Sequence, residues 1–218
     1  MQANDSLQDI QFAVGKQAIL QDQFPIESVK RIASFSCTPF EDKLLCAVVV
    51  MDYPSMNLVE HKYLLKKAPM PYVPGYLAFR EGPLMLELYY QLEYDPDVLM
   101  VEGHGVSHPA RCGIATYLGV ELAKPCLGVA DSVLYGEIRD TEIYADDQLA
   151  GFIVQTKQFA RPLHVTAGHL ISPSMAAELV KNSIRLPHKM PEPIHVARRL
   201  ASKAKDNMTE EGTLPETE

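Results

Sequence analysis

The chain has 218 residues, 47% of them hydrophobic and 22% charged, which fits one soluble globular domain with an ordinary core. Its net charge of −8 speaks against nucleic-acid binding by bulk electrostatics, although the last thirteen residues hold five acids and no base, leaving −3 on the remainder. No apolar run approaches the roughly 20 residues of a membrane helix, and the first residues lack a signal peptide's basic start and apolar core, so a cytoplasmic protein with no membrane partner is expected.

Residues 7–20 carry Leu7, Ile10, Phe12, Val14, Ala18 and Ile19 as a rough helical stripe, with Asp5 or Ser6 available as cap. Ile32 to Ser36 reads as a strand ending in a Thr38-Pro39 turn, and the apolar run 44–51 as a central strand. Residues 58–65 return as a third strand after a turn at Tyr53-Pro54-Ser55. These three form an antiparallel meander.

Next comes a stiff loop, Pro71-Tyr72-Val73-Pro74-Gly75, in which two prolines fix φ and one glycine permits angles that a Cβ forbids. Such a loop can hold an aromatic ring above a surface at little entropic cost, as base stacking requires; it could equally be a corner whose tyrosines cover the helix below. A helix is expected over 76–92, interrupted near Gly82-Pro83. A short buried strand at 97–101 ends at Glu102, followed by the loop Gly103-His104-Gly105-Val106-Ser107-His108-Pro109 and a helix at 110–118. Further strands are expected at 124–130, 152–155 and 163–166, and a helix at 173–184, with Gly168, His169 and Ser172 on its N-terminal side.

The domain is expected over 1–190, with a basic helical segment at 191–205 and an acidic disordered tail at 206–218. Cys37, Cys46, Cys112 and Cys126 are widely spaced with no C-x-x-C pair, so reduced thiols, at least two of them in the core, are expected rather than zinc or disulfides. A meander followed by helix, strand, helix, strand is the order of a ribonuclease-H-like α/β fold, a mixed sheet flanked by helices. Sites in open sheets lie where loops leave the carboxyl ends of strands, here after Phe35, Val101 and Val165.

Two segments then carry a resemblance. Pro69-Met70-Pro71-Tyr72-Val73-Pro74-Gly75-Tyr76-Leu77-Ala78-Phe79-Arg80-Glu81 and Val101-Glu102-Gly103-His104-Gly105-Val106-Ser107-His108-Pro109 resemble signatures of the endonuclease V family, which nicks nucleic acid near deaminated bases such as inosine. Tyr53-Pro54-Ser55, Gly128-Val129-Ala130 and Gly168-His169 extend the likeness over roughly residues 5–190. It implies a ribonuclease-H-like fold, a Mg²⁺ or Mn²⁺ cofactor if the chain is active, and inosine-containing DNA or RNA as partner. It further implies a wedge made of Pro71, Tyr72, Val73, Pro74 and Gly75. Catalytic roles fall to Glu81, Glu102 and His108, and a base pocket draws on Gly103, His104, Gly105 and Gly128. Base flipping gives such a wedge its purpose, propping the gap left by the extruded base.

The departures bear on the metal. Where the family has a catalytic Asp, a Lys and a last Asp, this chain has Ser36, Asp131 and Ser174, and a metal-binding Asp becomes Glu102. Magnesium takes oxygen ligands at about 2.0–2.1 Å, anchored by one or two carboxylates, and a serine hydroxyl is a poor substitute. Glu81 and Glu102 remain as metal ligands, with Asp131 as a relocated third. Three readings follow: a binding protein with impaired or lost cleavage and no need of a metal, a divergent Mg²⁺-dependent endonuclease, or a fold retained for an unrelated protein contact.

Overall fold

The computed structural model describes residues 2–215. Nine strands form one mixed sheet in the order β3-β2-β1-β4-β5-β9-β8-β7-β6. β1 (Arg31–Phe40), β2 (Lys43–Asp52) and β3 (Leu58–Lys67) make the expected antiparallel meander. β4 (Val98–Glu102) runs parallel to β1, and β5 (Cys126–Ala130) parallel to β4. β9 (Leu163–His169) lies antiparallel to β5, and β8 (Gln148–Val154), β7 (Glu142–Ala145) and β6 (Glu137–Arg139) complete the far edge.

Helices cover both faces, as a fully apolar central strand such as β2 requires. Strand alternation sends Ala33, Phe35, Leu99 and Val101 toward α2 (Leu77–Tyr89) and α3 (Ile114–Leu122). Their neighbours Ile32, Val98 and Met100 face α4 (Pro173–Asn182) and the first half of α5 (Glu192–Glu211). α1 (Gln2–Gly15) packs beside α3. Among the described residues no helix is long and apolar enough to cross a membrane.

Several expectations are corrected. α1 begins upstream of Asp5 and Ser6, and it buries Gln11 and Val14 while Ile10 and Phe12 stay exposed. β1 continues through Thr38 and Pro39 to a turn at Glu41-Asp42. Pro39 is tolerated because β4 pairs only with Ile32 and Ala33, so no ladder needs its missing N–H. α2 continues through Gly82 and Pro83, and α3 starts four residues later than expected, after a loop that occupies 103–113. Gly168 and His169 end β9 and, with the cap Ser172, lie on the N-terminal side of α4 as expected.

β6 and β7 are missing from the sequence reading because β6 is an exposed edge strand of three residues and β7 has only four, too few for a pattern to stand out. Their turn pairs, Asp140-Thr141 and Asp146-Asp147, were the available signal. The supposed disordered tail is helical through Glu211. Ala201, Ala204 and Met208 pack on Leu45 and Ala47 of β2, and that burial orders the acidic turns. Residues 216–218 of that tail lie outside the described residues.

Candidate nucleic-acid site

The loop 71–75 is fastened at both ends. Arg80 at the start of α2 donates from Nη1 to the Met70 carbonyl at 2.8 Å, and the Tyr76 N–H donates to Val73 at 3.0 Å. Gly75 has φ of +84°, the left-handed conformation that glycine takes without strain. That turn presents its carbonyl to two donors, Gln11 Nε2 at 2.8 Å and His108 Nε2 at 2.9 Å. The Ala110 N–H donates to His108 Nδ1 at 3.1 Å, so the ring proton sits on Nε2 and both nitrogens are spent on backbone. Burial holds the His108 pKa below the usual histidine range, keeping the ring neutral. Within this frame Tyr72 is 65% exposed, presenting its ring to solvent.

Tyr72, Pro74 and Gly75 form one rim of a cavity of about 440 Å³ above the carboxyl ends of β4 and β5. Glu81 reaches it from α2, Glu102 from the end of β4, and Asp131 from just beyond β5; Gly103, His104 and His108 also line it. The structure therefore brings together most of the expected site. Pro71, Val73, Gly105 and Gly128 do not line the cavity. Gly105 and Gly128 serve behind its wall instead: a Cβ on Gly105 would stand 2.0 Å from the Ala167 carbonyl oxygen, and one on Gly128 2.5 Å from that of Gly103. Their lack of a side chain lets the 103–113 loop lie against β5 and β9. Ser174 is exposed on α4 and also lies off the cavity.

The cavity's charges are arranged in pairs. Arg198 of α5 donates from Nε to Glu102 Oε2 at 2.6 Å and from Nη2 to Oε1, a fork that occupies both carboxylate oxygens. Lys189, from the connection between α4 and α5, donates to Asp131 at 2.5 Å and holds that carboxyl below its ordinary range. Among the described residues Glu81 has no such cation paired to it. Burial pushes its pKa up to about 7, aided by the Glu102 charge and opposed by Arg80. Burial likewise pushes His104 down to about 4, with the His108 and His164 rings adding to it, and His104 Nδ1 is buried without a hydrogen-bond partner.

A divalent metal at Glu81, Glu102 and Asp131 does not fit these residues. Magnesium needs an oxygen cage with surplus negative charge, whereas Glu102 and Asp131 here are each matched by a cation. Among the described residues no group of three or more His, Cys, Asp or Glu side chains could hold a metal ion. Asp131, expected as a relocated ligand, has its carboxylate engaged by Lys189. Lys189, Arg198 and Gln11 escaped the sequence reading. The only signal for the first two was the density of basic residues between Arg185 and Lys205, because Arg198 stands 96 residues from its partner.

The thiol expectation holds for two of the four cysteines and is corrected for the other two. Cys37 and Cys46 face each other across β1 and β2 and are joined by a disulfide at the cavity's edge, while Cys112 and Cys126 are free and buried.

Comparison with known proteins agrees with the fold and extends over nearly all of the chain. Endonuclease V from Roseiflexus castenholzii is 37% identical over 206 residues, covering 90% of each chain. The structure of Endonuclease V from Streptomyces avermitilis superposes with a TM-score of 0.85 at 26% identity, covering 94% of both chains. Endonuclease V from Ciona intestinalis, solved with a 23mer DNA containing an inosine followed by a ribo-adenosine, gives a TM-score of 0.85 at 25% identity, covering 95% of this chain and 98% of its own. With a family model matching residues 13–199 as well, the chain belongs to the Endonuclease V family.

Proposed function

We propose that this protein recognises inosine-containing nucleic acid through the 71–75 wedge and the adjoining cavity, with metal-dependent cleavage impaired or lost. The observation that carries this reading is the contrast within one cavity: a braced loop offering an exposed Tyr72 ring beside a Glu102 carboxylate occupied by Arg198. The relatives support the substrate class, since the Ciona intestinalis protein was solved with inosine-containing DNA.

In this reading Tyr72 stacks in the gap left by a flipped base, and the cavity behind it receives the base against Gly103 and His104. His108 acts by holding the Gly75 carbonyl, so that the ring stays at fixed height. A neutral His104, and a Glu81 that keeps its proton below about pH 7, offer the extruded base hydrogen-bond partners with little charge to desolvate.

The test incubates the protein with inosine-containing single-stranded DNA and RNA in Mg²⁺ and in Mn²⁺, scoring nicking and retention. Retention of inosine oligonucleotides over inosine-free ones, with little or no nicking, is expected. Tyr72→Ala should weaken retention about tenfold, the loss of one stacked base, and leave thermal stability unchanged. A second reading, slow nicking by Glu81 and Glu102, is favoured by their shared cavity. Nicking abolished by Glu81→Ala would select it.

A further inference from the structure

Beside the wedge cavity runs a second groove of about 390 Å³, which shares Ser36, Cys37 and Glu102 with it and is otherwise walled by β1 and α5. On α5 the groove is lined by Arg198, Ser202 and Lys205, spaced four and seven residues from the first and so on one helical face. Arg198 spends Nε and Nη2 on Glu102, while Nη1 has no partner among the described residues, and its side chain is 40% exposed. Lys205 has no ionic partner among the described residues either.

The charge balance sets the ligand's sign. Glu102 and Asp131 are each matched by one cation, which leaves Glu81 as the wedge cavity's unmatched carboxylate, and Lys205 leaves the groove positive. A guanidinium fork holding a carboxylate with one edge still has N–H donors for a second oxyanion, and an ammonium at the other end supplies charge. The hydroxyl of Ser202 lies between them on the helix. This arrangement of donors and charge suits a phosphate oxyanion better than a dication.

Building on the inosine reading, we propose that a nucleic-acid strand is held here without any divalent cation. One backbone phosphate lies in the α5 groove, against Arg198, Ser202 and Lys205, while the neighbouring base occupies the wedge cavity. Arg198 then bridges the Glu102 carboxylate and the phosphate, the position in which a metal ion would otherwise join two anions.

Fluorescence anisotropy with an inosine-containing single-stranded DNA, and with its RNA counterpart, tests this in Mg²⁺ and in EDTA over a range of salt. Equal affinity in the two buffers is expected. Lys205→Gln, at a half-exposed and unpaired position, should weaken binding about three- to tenfold and reduce the slope of log K against log salt by about 0.7. Arg198→Gln should weaken binding further and, by freeing Glu102, make the residual affinity respond to Mg²⁺. Binding that requires Mg²⁺ in the unaltered protein, or a salt slope untouched by Lys205→Gln, overturns the phosphate assignment and leaves the inosine reading standing. Equal affinity for an inosine-free strand, with the salt effects intact, overturns the inosine reading alone. No binding in either buffer overturns both.

Discussion

The two walls of the wedge cavity are built on different physics. On the loop side, position is set by hydrogen bonds to backbone: neutral Gln11 and His108 converge on one carbonyl, and the Arg80 guanidinium secures another. On the opposite side, Glu102 and Asp131 are set by ion pairs with residues of the C-terminal segment. The first arrangement is buried and directional, so it gives the loop a fixed shape. The second is partly solvated; its Arg198 fork orients Glu102, while the single Lys189 contact on Asp131 fixes sign more than geometry. A cavity with one rigid wall and one neutralised wall is suited to recognising a shape and gripping an anion, and poorly suited to holding a metal ion in strict geometry.

The largest expected effect lies on the rigid side. His108→Ala removes a 5%-exposed ring that joins two backbone groups and leaves the Ala110 N–H without its acceptor. A loss of about 3 kcal/mol, a Tm lower by roughly 6–10 °C, is expected in thermal denaturation. A change within about 0.5 kcal/mol would mean that the brace carries no weight.

Glu81 stands between the walls and makes stability depend on pH. Its folded-state pKa of about 7 lies above its ordinary 4.5, so between these values the native protein keeps a proton that the unfolded chain has released. Stability is therefore lost as pH rises from about 4.5 through about 7. Glu81→Gln should match the parent near pH 4 and exceed it by up to about 3 kcal/mol near pH 8, read from urea unfolding at both pH values. A constant difference at the two pH values would place Glu81 in contact with a compensating cation instead.

The smallest effect belongs to the neutralised side. Asp131 is 63% and Lys189 28% exposed in their side chains, so a double-mutant cycle through Asp131→Asn and Lys189→Ala should give a coupling below about 1 kcal/mol. A coupling of several kcal/mol would show this wall to be as rigid as the other.

How much of this was legible beforehand depends on sequence distance. The 71–75 loop could be read because its prolines and glycine act on their own backbone, and the meander because β-strand patterning is local. The pairing of Glu102 with Arg198 could not be read, since it joins the end of a strand to a helix 96 residues away. Likewise the disulfide between Cys37 and Cys46 depends on strand register, which sets those two residues opposite each other. The acidic turns to Glu211 looked disordered because their composition is solvated, yet Ala201, Ala204 and Met208 find a sheet to cover.

By itself, then, the sequence determined the antiparallel meander, the stiff loop and the family signature around Glu81 and Glu102. Only the tertiary structure decided what those carboxylates face. Charge on a side chain is local information, but the counter-charge that fixes its chemistry is whatever the fold brings alongside. Here the C-terminal segment supplies it, placing Arg198 on Glu102 and Lys189 on Asp131.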